Sequence, residues 1–116
     1  MELKLTDTRK FNSNEIKITT RDFYEVGDYN VIVDTYEHGF KKVSANPKSD
    51  VEYLPSIYDL HDFNDDGILY GFEISTTSYG KTMMVDDIRK MIKAYEQAIE
   101  VVEILTEKFV GNKIHR

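Results

Sequence analysis

The chain has 116 residues, 15 basic and 21 acidic, with a formal net charge of −6 and no cysteine. That length builds one domain, residues 1–116, around a single modest core, and 41% hydrophobic with 31% charged residues is an ordinary globular composition. The composition excludes a disulfide scaffold, a thiolate metal centre and a cysteine nucleophile, and its negative balance argues against direct nucleic-acid binding, which relies on Lys and Arg neutralising phosphates.

The first residues, Met1-Glu2-Leu3-Lys4-Leu5, read as a plain cytoplasmic start, and no apolar run is long enough for a membrane span. Residues 15–80 then read as a β-meander of about five strands. Glu15 to Thr20 alternates with period two, Gly27-Asp28 breaks the chain, and Tyr29 to Tyr36 is a strong strand around Val31-Ile32-Val33. His38-Gly39 turns into Phe40 to Val43, and Ser44 to Asp50, with Asn46-Pro47, reads as a loop. Ile57 to Phe63 and Ile68 to Thr77 follow, separated by Asn64-Asp65-Asp66-Gly67.

From Val85 the period changes. Apolar residues at Ile88, Met91, Ile92, Tyr95, Ala98, Ile99, Val102, Leu105 and Phe109 keep a 3.6-residue spacing, with Asp86-Asp87 in the first turn and Gly111 to stop it. The spacing predicts one long helix over 85–110. An antiparallel sheet with that helix packed across one face, an α+β fold, is the expected architecture.

Residues 62–73 match the calcium-loop pattern D-x-[DN]-x-[DN]-G-x5-E letter for letter, with Asp62, Asn64, Asp66 and Glu73 as the metal ligands it would use. The flanks disagree. Gly71-Phe72-Glu73-Ile74-Ser75-Thr76-Thr77 is a poor exit helix and a good strand, while Asp66-Gly67 between apolar runs is a hairpin signal. The expectation is a metal-free hairpin with Asp65 and Asp66 exposed at its tip, no cofactor, and calcium as the alternative. Gly80-Lys81-Thr82 lacks the first glycine of a phosphate loop, since that position is Ser75. The three histidines, His38, His61 and His115, share no ligand spacing, although His61 between Asp59 and Asp62 could be a base oriented by a carboxylate. No nucleophile, base and orienter converge, so an enzyme is not expected.

The helix carries a different signal. Glu96, Glu100, Glu103 and Glu107 recur at +4, +3 and +4 and form one acidic stripe. Like charges at that spacing, in the half where the macrodipole is negative, have no stabilising purpose. Together with Asp65 and Asp66 at the hairpin tip, they read as a docking surface for a basic groove on a partner protein. Val101 and Ile104 project away from the Ile92-Tyr95-Ile99 line and read as an interface with a second copy or a target, unless the N-terminal segment covers them.

The run Ile74-Ser75-Thr76-Thr77-Ser78-Tyr79-Gly80, continuing into Val85-Asp86-Asp87-Ile88 and Tyr95-Glu96-Gln97-Ala98-Ile99-Glu100-Val101-Val102, resembles small, acidic, cysteine-free proteins of phages and prophages of low-GC Gram-positive bacteria. Such proteins include anti-CRISPR and related anti-defence inhibitors, several of which occupy a DNA-binding channel with carboxylates. The resemblance implies stoichiometric inhibition without catalysis, in the cytoplasm of a bacterial host. Two other classes stand beside it: a calcium-binding domain, and a homodimer that binds a small molecule.

Overall fold

A six-stranded antiparallel sheet carries one long helix on one face in the computed structural model, which describes residues 1–12, 17–65, 67–76 and 82–110. The fold is α+β, as the sequence predicts. The strands are β1 (Lys4–Lys10), β2 (Ile18–Val26), β3 (Tyr29–Tyr36), β4 (Lys41–Pro47), β5 (Ile57–Asp62) and β6 (Ile68–Ile74), and the helix is α1 (Val85–Phe109). Each strand pairs with its neighbour in sequence, so the sheet order is β1-β2-β3-β4-β5-β6.

Strand alternation builds the core. Along β3 the side chains of Tyr29, Val31 and Val33 are fully buried, and Val43, Ala45 and Ile57 continue the same layer on β4 and β5. Ala94, Ala98, Val101 and Leu105 close it from the helix. Two alanines at the centre let the helix approach the sheet closely, which longer side chains would prevent. The Tyr29 hydroxyl satisfies itself inside this layer by donating to the Pro55 carbonyl. Burial, with Tyr95 adding to it, raises the phenol well above the ordinary tyrosine value.

The turns show why particular residues sit where they do. Val26 pairs with Tyr29, so Gly27 and Asp28 form a two-residue loop with a positive φ, 55°, at Gly27 alone. That is the feature of a type II′ turn, which calls for glycine at its first central position. The helix is pinned at the same place: the Gln97 side-chain oxygen accepts the Asp28 N–H at 2.8 Å, and its amide donates to the Asp28 carboxylate at 3.0 Å. A Cβ on Gly27 would lie 2.6 Å from that Gln97 oxygen and would push the Gln97 side chain off Asp28.

Three expectations change. The sixth strand is β1, which the alternation rule misses because all seven of its residues are exposed. Its hold on β2 is backbone ladder from Lys4↔Glu25 to Lys10↔Thr20, with the Thr8 hydroxyl donating to Asp22 at 2.7 Å and Arg9 lying over the Phe23 ring. Lys4, Asp7, Arg9 and Lys10 make it a charged edge of the kind that resists further pairing. Second, Ser44 to Pro47 is strand, not loop: Ser44, Ala45 and Asn46 pair with Ile32, Val31 and Asn30, and Pro47 ends the strand where its missing N–H is tolerated.

The third change concerns the helix. Its predicted extent holds, with Val110 as C-cap, but it is rotated about its axis. Ile92 and Ile99, expected in the core, are 53% and 52% exposed, and Ile88 is 41% exposed, whereas Val101, expected to face a partner, is fully buried. Ile104 is half-buried and shares a groove with Leu3 and Tyr24, so the N-terminal segment does cover that side. The helix has two apolar stripes of the same period, and periodicity alone does not say which one meets the sheet. The alanine-bearing stripe wins because it fits.

Candidate functional site

At roughly 100° per residue, Glu96, Glu100, Glu103 and Glu107 centre about 150° around the helix from Val101 and Leu105. All four are exposed, and none forms an ion pair or hydrogen bond with a described residue. They follow a straight row of about 17 Å along the axis, at ~1.5 Å per residue. Arg89 continues the row toward the helix N-terminus, where its partner is Asp86 at 4.0 Å, a solvent-exposed contact of little energetic weight. Beside this charged row runs the apolar one, Val85, Ile88, Ile92 and Ile99, all exposed. The outer half of the helix is therefore amphipathic in its own right.

The distribution of charge supports the same surface. Residues 1–48 contain eight acidic and eight basic side chains, so the whole net charge of −6 lies in residues 49–116. Within the helix, Glu96, Glu100, Glu103 and Glu107 run from its midpoint to its C-terminal end.

The calcium-loop letters form a hairpin. β5 ends at Asp62, a 3-10 turn spans Phe63–Asp65, and β6 begins at Ile68, which pairs with Asp62. The Asp62 carboxylate accepts the Asn64 N–H at 3.0 Å, and its carbonyl accepts the Gly67 N–H at 3.1 Å, so this residue organises the turn. Glu73 sits opposite Tyr58, five residues beyond Ile68. At ~3.3 Å per residue it lies roughly 16 Å up the strand, far outside the 2.3–2.6 Å at which a calcium ligand must stand. Asp62, Asn64 and Glu73 thus do not converge, and the described residues hold no metal-binding group of three or more. Asp66, the Asp65 side chain, Gly80-Lys81, Gly111 and His115 lie outside the described residues.

A second site arises where the sheet splits. β4 and β5 pair only at Ser44↔Tyr58 and Ala45↔Ile57, and beyond that they diverge. Asp59 fills the gap: one carboxylate oxygen accepts the Val43 N–H at 2.7 Å and stands 2.9 Å from His61 Nε2. His61 Nδ1 is 2.8 Å from the Gly67 carbonyl oxygen, and the ring lies 4.6 Å from Phe40, centroid to centroid. Both side chains are nearly buried. A cleft of about 740 Å³ opens here, lined by Tyr36, His38, Phe40, Lys42 and Phe63 besides the pair.

Of the two carboxylates flanking His61 in sequence, Asp59 is its partner. Yet the arrangement braces the sheet: both ring nitrogens are engaged, and one carboxylate oxygen stands in for a missing ladder acceptor. Both ring nitrogens face oxygens of the fold itself, the Gly67 carbonyl and the Asp59 carboxylate. Gly67 belongs to the same brace, since its φ is 76° and a Cβ there would meet Phe40 at 2.8 Å.

The surface that sequence reasoning missed is the row of isoleucines. Its signal was present as a second 3-4 repeat interleaved with the buried one, Val85, Ile88, Ile92, Tyr95, Ile99 and Val102 against Met91, Ala94, Ala98, Val101 and Leu105. No described helix is long and apolar enough to cross a membrane. Comparison with protein-family models, with curated proteins and with solved structures finds no match to this chain.

Proposed function

We propose that this chain is a non-enzymatic binding protein of a phage or mobile element. In this reading its outward helix face occupies the basic nucleic-acid-binding surface of a host protein, such as a defence nuclease. The observation that carries the reading is the row of Glu96, Glu100, Glu103 and Glu107, exposed and unpaired among the described residues on the side of the helix opposite the core. An intramolecular role for those carboxylates would need partners, and the described part of the chain supplies none. Their repulsion costs a few tenths of a kcal/mol per pair in the isolated helix, and a cationic surface would turn that cost into attraction and steer the encounter.

The mechanism is competition. The carboxylates stand about one per helical turn in a straight row, a line of negative charge as a nucleic-acid strand also presents. Cations that normally neutralise phosphates would pair with them instead. Occupancy blocks the nucleic acid, and no bond is made or broken.

The test is a capture from bacterial lysate on the immobilised protein, beside the same protein carrying Glu100→Lys and Glu103→Lys. Retention of a basic nucleic-acid-binding protein by the native chain and its loss from the double variant is the expected result. Equal retention by both removes the carboxylate row from the mechanism.

A further inference from the structure

The exposed isoleucines carry a pattern that an accidental apolar patch lacks. Val85, Ile88, Ile92, Tyr95, Ile99 and Val102 follow one another at +3, +4, +3, +4, +3, the a and d positions of a heptad, with β-branched residues at all three a positions, 85, 92 and 99. The row's own side chains are exposed at Val85, Ile88, Ile92 and Ile99 and half-buried at Tyr95 and Val102. An α-helix drifts by about 20° per heptad against a 3.5-residue repeat, which carries the C-terminal end of the row toward the core, where Phe109 meets Tyr24. The seam is therefore open from Val85 to Ile99, about 21 Å, and closes at Val102, which packs against the core.

The charges beside the seam say what fits it. At the e positions stand Arg89, Glu96 and Glu103, basic toward the N-terminus and acidic toward the C-terminus. An identical helix laid antiparallel reverses that order and is complementary to it. In the register that opposes Ile88 to Ile99 of the second copy, Ile92 meets Tyr95 and Val85 meets Val102, so every exposed seam residue acquires an apolar partner. In the same register Arg89 faces Glu96 across the boundary, twice by symmetry. A parallel pair places the e residues against the g positions, Met91 and Ala98, and matches no charge.

We infer that the chain forms a two-fold symmetric dimer through antiparallel pairing of α1 along Val85, Ile88, Ile92, Tyr95, Ile99 and Val102, with Arg89–Glu96 pairs locking the register. The contact is isologous, as a two-fold requires. Its exposed members, Val85, Ile88, Ile92 and Ile99, lie on a face distinct from the buried one, while Val102 also packs on its own core, so each sheet stays with its own helix. Both e positions of an antiparallel pair lie on the same side, so dimerisation sets the two carboxylate rows next to each other on one outer surface.

Sedimentation velocity across a micromolar concentration series tests the inference without any other protein. The native chain is expected to sediment as a dimer, and Ile92→Glu with Ile99→Glu as a monomer that keeps the native helical circular dichroism. Arg89→Glu is expected to weaken association by about tenfold through the like charge it sets against Glu96, and Arg89→Glu with Glu96→Arg to restore it to within threefold. A native chain that remains monomeric at the highest concentration overturns the proposal. So does a dimer that survives the two isoleucine changes, or one that the charge swap fails to rescue. None of these readings depends on the partner capture, so either idea can fail alone.

Discussion

Val101→Ala and Ile99→Ala, two positions apart on α1, are expected to differ sharply in cost. Val101 is fully buried among the core side chains, and Ile99 is 52% exposed. Removing two buried methyl groups forfeits roughly 1.6 kcal/mol of transfer free energy at ~0.8 each, and incomplete collapse of the space adds on the order of 1 kcal/mol. Alanine's higher helix propensity returns roughly 0.5 kcal/mol, leaving about 2 kcal/mol. With an unfolding entropy of roughly 2.1 cal/mol/K per residue over the 116 residues, Tm falls by about 8 °C.

For Ile99 the half-exposed side chain loses about 1 kcal/mol of burial, and alanine returns roughly 0.4 kcal/mol through its higher helix propensity. The net change is about 2 °C in Tm. Thermal melts followed by circular dichroism at 222 nm, at sub-micromolar protein so that self-association contributes nothing, measure both. A larger drop for Ile99→Ala than for Val101→Ala would refute the rotated placement of the helix, and with it both surface assignments.

Three further outcomes follow from particular contacts. Tyr29→Phe leaves the Pro55 carbonyl without its donor and should cost about 1–2 kcal/mol at neutral pH in urea unfolding. Because burial raises the Tyr29 phenol above its ordinary value of 10, its contribution is whole below pH 10 and is lost as pH rises through the higher folded value; the variant should therefore lose less stability than the native chain on going above pH 10. Asp59→Ala strips the Val43 N–H and His61 of one acceptor and should lower stability by about 2–4 kcal/mol, most visibly as faster amide exchange at Val43. In the hairpin, Gly67→Ala forces a side chain into a φ of 76° and against Phe40, at a cost of about 1–3 kcal/mol, while millimolar calcium leaves the native Tm unmoved.

Much of this architecture is legible in the residues because each level agrees with the next. The alternation of Tyr29, Val31 and Val33 names the central strand and its buried face together. The Asp-Gly of the calcium-loop letters, read with the strand-forming Phe72-Glu73-Ile74, specifies a hairpin against the motif. What escapes is decided by tertiary pairing. Lys4 to Lys10 has no apolar alternation to announce it, and Ser44-Ala45-Asn46 becomes strand only because β3 lies beside it. For the helix, two stripes satisfy the same period, and the choice rests on the fit of Ala94 and Ala98 against the sheet and on Gln97 reaching Asp28. The acidic row could be read directly, since four glutamates at helical spacing need only the helix to be aligned. The isoleucine row could not, because hydrophobic residues at that spacing are ordinarily core.

The central claim is that the outward carboxylates of α1 form the working surface. Its most direct measurement is the affinity for the captured partner, native chain against Glu100→Lys with Glu103→Lys, across a salt series. Tight binding that weakens steeply as salt rises is expected of the native chain, with a double variant weaker by on the order of 100-fold at low salt and a flattened salt slope. Equal affinities and equal slopes for the two proteins would contradict it.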